Sequence, residues 1–187
     1  MLTYMSRQQI LQNVLGKKLH QLMPLPFPGD TSVVLGFDDL PRQLYVSSDV
    51  DLAVMPPFAD TDEGKRLGEF RAWLDGFMLG SVISVCQDPY LKPPETDFAR
   101  VDPPESEIWS IRLREPKDSD GLRALGGFLA LDEFIVLRWR YREEIGDNFG
   151  DEVAETIAAW QDIFDKEPPH KGEKLNEYLT EANELAY

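Results

Sequence analysis

The 187-residue chain is predicted to be an α+β protein, an antiparallel sheet packed by amphipathic helices. Three observations predict it. Apolar residues recur at helical spacing in Leu67, Phe70, Leu74, Phe77 and Met78, and again in Val153, Ile157, Trp160 and Phe164. In Ile108–Arg114 the period changes to two, with Trp109, Ile111 and Leu113 on one face and Ser110, Arg112 and Arg114 on the other. Hydrophobic residues make up 42% of the chain, enough for a sizeable core in a single domain over residues 1–187.

Taken in order, Ser6 to Met23 reads as an amphipathic helix with Ser6 and Gln9 as its capping box, ended by the Pro-rich run 24–29. Short strands are expected at Thr31–Phe37, Gln43–Ser48 and Val50–Met55. A sub-division is expected between residues 1–58, a helix with a small sheet, and residues 59–187. Asp60 with Glu63 forms a second capping box, opening the helix through Met78. Ser81–Cys86 fits a helix extension or a strand, and 88–105 reads as an extended connection. Leu122–Leu131 and Phe134–Tyr141 form a hairpin turning at Asp132-Glu133, and Gly126-Gly127 mark a bulge or a close backbone approach. Asn148 starts the last long helix, Pro168-Pro169 stop it, and Leu175, Tyr178, Leu179 and Ala182 predict a short terminal helix.

Charge is the most unusual bulk property. The net value is −15, and it is uneven: residues 108–142 carry +2 and residues 143–187 carry −10. Such a surface repels nucleic acid at long range and suits a partner that is itself basic. The single cysteine, Cys86, excludes an intramolecular disulfide and fits a reducing compartment. Lys17, Lys18 and His20 interrupt the apolar stretch 10–23, so neither a signal peptide nor a membrane span is expected, and a cytoplasmic location is.

Period-two spacing places Arg138, Arg140 and Arg142 on one side of a strand, and Arg112 with Arg114 on one side of its expected neighbour. Guanidiniums so crowded need an anion against them. The expected anion is the chain's own acids from Glu143 through Glu184, with Glu143, Glu144, Asp151, Glu152 and Glu155 forming an acidic surface. Carboxylate pairs at Asp38-Asp39, Asp49 with Asp51, and Asp60 with Asp62 and Glu63 arise freely among 34 acids. The acid-x-Lys spacing Glu115-Pro-Lys117 is likewise no more than the composition supplies. His20, His170 and Cys86 lack zinc-type spacing, and no phosphate loop, dinucleotide fingerprint or Gly-x-Ser-x-Gly elbow occurs, so neither metal nor cofactor is expected.

Lys92-Pro93, Ile108-Trp-Ser-Ile-Arg-Leu113, Gly121-Leu-Arg-Ala-Leu125 and Phe134-Ile-Val-Leu-Arg-Trp-Arg-Tyr-Arg142 follow the helix at 67–78. Over Leu67–Arg142 this order resembles the RelE/HigB-like toxin superfamily, phage-derived members included. The resemblance implies a RelE-like core with N- and C-terminal additions. It further implies messenger RNA cleavage, with arginines on the sheet stabilising the transition state: Arg112, Arg114, Arg123, Arg138, Arg140 and Arg142. Glu143-Glu144 stand where that family places a catalytic His or Tyr, and Tyr141 is nearest. The sequence as a whole predicts a non-enzymatic acidic binding or inhibitory protein of prokaryotic or phage type, one form of which mimics nucleic acid toward a basic partner. The alternatives are a RelE-like ribonuclease, or its inactive relative, and an accessory subunit of a larger assembly.

Overall fold

The computed structural model describes residues 6–26, 36–114, 121–146 and 149–185. Helix α1 (Arg7–Val14) starts at the expected capping box. The Ser6 hydroxyl accepts from the Gln9 N–H, and Gln9 Oε1 accepts from the Ser6 N–H at 2.9 Å. The helix is shorter than its pattern. Gly16 takes φ +74° and turns the chain back, so Leu19–Gln21 form strand β1 instead of two more helical turns. Strand β2 (Gln43–Ser47) lies as expected, but the predicted strand at Val50–Met55 is helix α2 (Ser48–Ala53). Ser47 caps that helix by accepting from the Val50 N–H, and Asp49 and Asp51 complement its first turn. The expected strand at 31–37 falls mainly outside the described residues.

Helix α3 (Asp62–Met78) is capped by Thr61, whose hydroxyl accepts from the Gly64 N–H at 3.1 Å, rather than by Asp60. Gly64 is needed there: a Cβ would lie 2.1 Å from the Ala59 carbonyl oxygen. Residues 81–86 resolve to strand β3 (Ser84–Cys86), and the connection after it holds a further strand, β4 (Phe98–Arg100). Strands β5 (Ile108–Leu113), β6 (Leu122–Ala130) and β7 (Glu133–Tyr141) follow the predicted pattern to within a residue or so. The one-turn helix α4 (Arg142–Ile145) precedes α5 (Phe149–Phe164); Asn148, its expected start, lies outside the described residues. The terminal helix is not formed. Leu175–Glu177 make one 3-10 turn and Asn183–Glu184 make strand β8.

These strands make one sheet in the order β1-β2-β7-β6-β5-β4-β3-β8. It is mixed rather than purely antiparallel: β2 runs parallel to β7, and β3 parallel to both β4 and β8. Helices lie between β2 and β7 and between β3 and β8, whereas β3 returns to β4 through the non-helical connection 87–97, since any parallel return needs a crossover. On one face α2 and α3 bury Val50, Phe70, Leu74, Phe77 and Met78 against Val46, Phe98, Trp109, Phe128 and Phe134. Leu175, Tyr178 and Leu179 join this core although they are not helical. On the other face α1 and α5 bury Leu11, Trp160 and Phe164 against Tyr45, Ile135 and Leu137. Helix–sheet–helix layering follows, with the arginine strands at its centre.

The expected bulge is present, with the β6–β7 register shifting between Leu125 and Gly126. A Cβ on Gly126 would stand 1.7 Å from the Ile135 carbonyl oxygen, and one on Gly127 would stand 3.0 Å from the Trp160 ring. The first glycine lets the bulge close and the second lets α5 settle on the sheet. A buried cation ties the opposite layer. Arg42, 1% exposed, donates to the Phe77 and Ser81 carbonyls at 3.3 and 2.9 Å and to the Glu181 carbonyl, with its Nε 3.7 Å from Asp132. It thereby joins the end of α3, the β6–β7 turn and the C-terminal segment.

Candidate functional site

The arginines do form one constellation, though not as two neighbouring strands. Strand β6 lies between β5 and β7, so Arg112 stands opposite Arg123, and Arg123 opposite Arg140. Directly paired residues point to the same face. Three guanidiniums therefore cross the sheet as a ladder, with Arg138 one step along beside Leu125. That face is the one covered by α5, since Leu125 packs with Val153.

The β7 end of the ladder is closed by α5. Arg138 meets Glu152 at 3.2 Å and also pairs with Glu155, and Arg140 Nε lies 3.5 Å from the other Glu152 oxygen. Glu152 faces inward in the helix's first turn, where its charge also favours the helix dipole. Arg142 does not join this network; it donates to the Gly146 carbonyl at 2.7 Å. Arg114 pairs with Asp97 at 3.4 Å, and Glu143 pairs with Arg66 of α3. Of the five acids expected as an outward surface, Glu152 is turned in and Glu143 and Glu155 are ion-paired. Glu144 and Asp151 are exposed without an ion pair among the described residues.

The β5–β6 end is different. Arg123 donates to the Leu113 and Leu122 carbonyls at 3.2 and 3.0 Å, and Arg112 to the Pro93 carbonyl at 3.4 Å. Among the described residues no carboxylate lies within ion-pairing distance of either. Burial, and then the neighbouring Arg112, Arg142 and Arg114, push Arg123 down to about 10, still cationic at neutral pH. Lys92 is lowered by the same causes, burial first and then Arg112. Lys92 is the member that strand periodicity does not reveal, because it reaches the cluster from the β3–β4 connection. Burial raises the nearby Cys86 thiol, offset in part by its hydrogen bond with the Asp88 backbone and then by Lys92 and Arg112.

The other sequence candidates form neither a carboxylate pair on one strand face nor a metal cluster among the described residues. Asp49 and Asp51 sit on α2 rather than on one strand face, and Glu115-Pro-Lys117 lies outside the described residues. Among the described residues no group of three or more His, Cys, Asp or Glu side chains is placed to hold a metal ion. No described helix is long and apolar enough to cross a membrane. Compared with protein-family models, with curated proteins and with solved structures, the chain matches none.

Proposed function

We propose that the chain is a binding protein that presents its acidic surface to a basic partner. The observation that carries this reading is the closure of Arg138 and Arg140 by Glu152 and Glu155. Cations that would otherwise attract an anionic ligand are used inside the fold, while acids remain in excess on a chain of net charge −15. Long-range complementarity of this kind sets association rate and partner choice. Co-purification from the native host tests it: a basic partner is retained at low salt and released as salt rises. Recovery of no such partner would remove the reading.

A second reading, the RelE-like ribonuclease, is favoured by Lys92, Arg112 and Arg123, which have no carboxylate within ion-pairing distance among the described residues. On that reading they hold a backbone phosphate during cleavage. Expressing the chain while following growth and transcript integrity separates the two: cleavage of messages supports the ribonuclease, intact messages and full viability exclude it.

A further inference from the structure

The turn-back at Gly16 and the capped start of α2 bring His20 of β1 beside Ser48 and Asp51, which lie three positions apart on α2. In β1, His20 stands opposite Val46 of β2, and β2 runs straight into α2 at Ser48. His20 Nε2 lies 3.0 Å from the Ser48 hydroxyl, and His20 Nδ1 lies 4.0 Å from Asp51 Oδ2. We propose that Ser48, His20 and Asp51 form a nucleophile, base and positioning carboxylate for acyl transfer from short esters.

Each position suits its role. Ser48 is exposed, so its oxygen is open to attack a substrate. His20 and Asp51 are about one-third exposed, at 34% and 28%, and β1 is the outermost strand on its side of the sheet. The Asp51 charge favours the tautomer with the proton on Nδ1, which leaves Nε2 to accept the Ser48 proton. A separation of 4.0 Å is longer than a hydrogen bond, and such contacts tighten when substrate binds. Ser48 also borders a cleft of about 370 Å³ with Leu137, Trp139 and Ile163 in its wall. On the same cleft Lys18 pairs with Asp162, and Arg138 and Arg140 pair with Glu152, whereas Lys17 and Asp49 have no ion pair among the described residues. Leu137, Trp139 and Ile163 leave an apolar strip among the charged side chains of the same lining, with room for a short acyl group.

The step balances without any further reagent than water. Ser48 Oγ bonds to the acyl carbon as its proton passes to His20 Nε2. The leaving alkoxide takes that proton as the ester C–O bond breaks. Water, deprotonated by the same nitrogen, then releases the acid and restores the Ser48 hydroxyl. This activity goes beyond the binding role and uses none of the acids assigned to it, so either can fail alone.

The test is covalent labelling of the full chain with an alkyl fluorophosphonate, in which Ser48 Oγ displaces fluoride from phosphorus. Peptide mapping is expected to place the adduct on Ser48, and Ser48→Ala to abolish it. His20→Gln is expected to slow labelling about 100-fold. Asp51→Asn should slow it about tenfold, the scale of one charge at that distance in a half-exposed site, and Asp51→Glu should recover most of the rate. Hydrolysis of 4-nitrophenyl butyrate should fall in the same order. Absence of a Ser48 adduct on folded protein overturns the proposal, and so does an adduct that forms equally fast in His20→Gln with its circular dichroism unchanged. If Asp51→Asn labels at the wild-type rate, the carboxylate has no positioning role and the three-residue assignment is wrong.

Discussion

Replacing Glu152 with Gln removes the carboxylate that holds Arg138 and Arg140 together. Arg138 and Glu152 are shielded, at 20% and 16% exposed, whereas Arg140 is 42% exposed. The Arg138 contact is therefore worth more than a surface pair, and the Arg140 contact no more than about 1 kcal/mol. Arg138 keeps Glu155, which limits the loss. Together the change should cost about 2 kcal/mol. For 187 residues the unfolding entropy is about 0.4 kcal/mol/K, so the melting temperature should fall by about 5 °C. Thermal melts followed by circular dichroism at low and high salt measure it, and the gap should narrow with salt only in part, because shielded pairs are screened less. A double-mutant cycle with Arg138→Gln should give a coupling of about 0.5–3 kcal/mol. A melting point within about 1 °C of wild type, with zero coupling, would refute the idea that α5 locks the arginine strands.

Other outcomes follow from the same geometry. Gly126→Ala should cost more than about 3 kcal/mol, because a Cβ 1.7 Å from the Ile135 oxygen must force the bulge open; an unchanged urea midpoint would contradict it. Truncation before His170 should abolish cooperative unfolding and near-ultraviolet dichroism, since it removes the buried Leu175, Tyr178 and Leu179 together with β8; a folded, truncated chain would show that this segment is only a cover. Burial raises Tyr45 and Tyr178 to about 12, with Glu133 adding to the first and Glu107 to the second. Their folded values exceed the unfolded value of about 10, so each contributes stability that is complete below pH ~10 and lost as pH rises toward 12. The expected loss is about 1–3 kcal/mol each, read from denaturant midpoints at pH 9 and 11.5, and a flat profile would contradict it.

The elements legible in the sequence were the long and strongly patterned ones. Helices α3 and α5 carry four or five apolar residues on one stripe, β5 carries a clear alternation, and the β6–β7 hairpin carries its double glycine. Short elements depart from their local pattern for identifiable reasons. Leu19–Gln21 continue the helical spacing of α1, and only Gly16 and pairing with β2 make them a strand. Val50 and Leu52 resemble strand residues, yet the cap at Ser47 and the acids behind it select a helix. Leu175, Tyr178, Leu179 and Ala182 have helical spacing but meet the aromatic core through one 3-10 turn. The site was half legible. Period two put Arg138 and Arg140 on one face, but the insertion of β6 between β5 and β7 is a matter of topology. So is the choice of acids: Glu152 and Glu155 of α5 reach Arg138, whereas the acids beyond residue 170 do not.

The most direct test of the binding account is fluorescence anisotropy of a labelled single-stranded RNA against the full chain at about 150 mM salt, where exposed charges farther apart than about 8 Å are screened. The account predicts no binding by wild type, and measurable binding once Glu152→Gln and Glu155→Gln together uncover Arg138 and Arg140. Tight binding by the wild-type chain, abolished by Arg123→Ala, would contradict it and place the ribonuclease reading first.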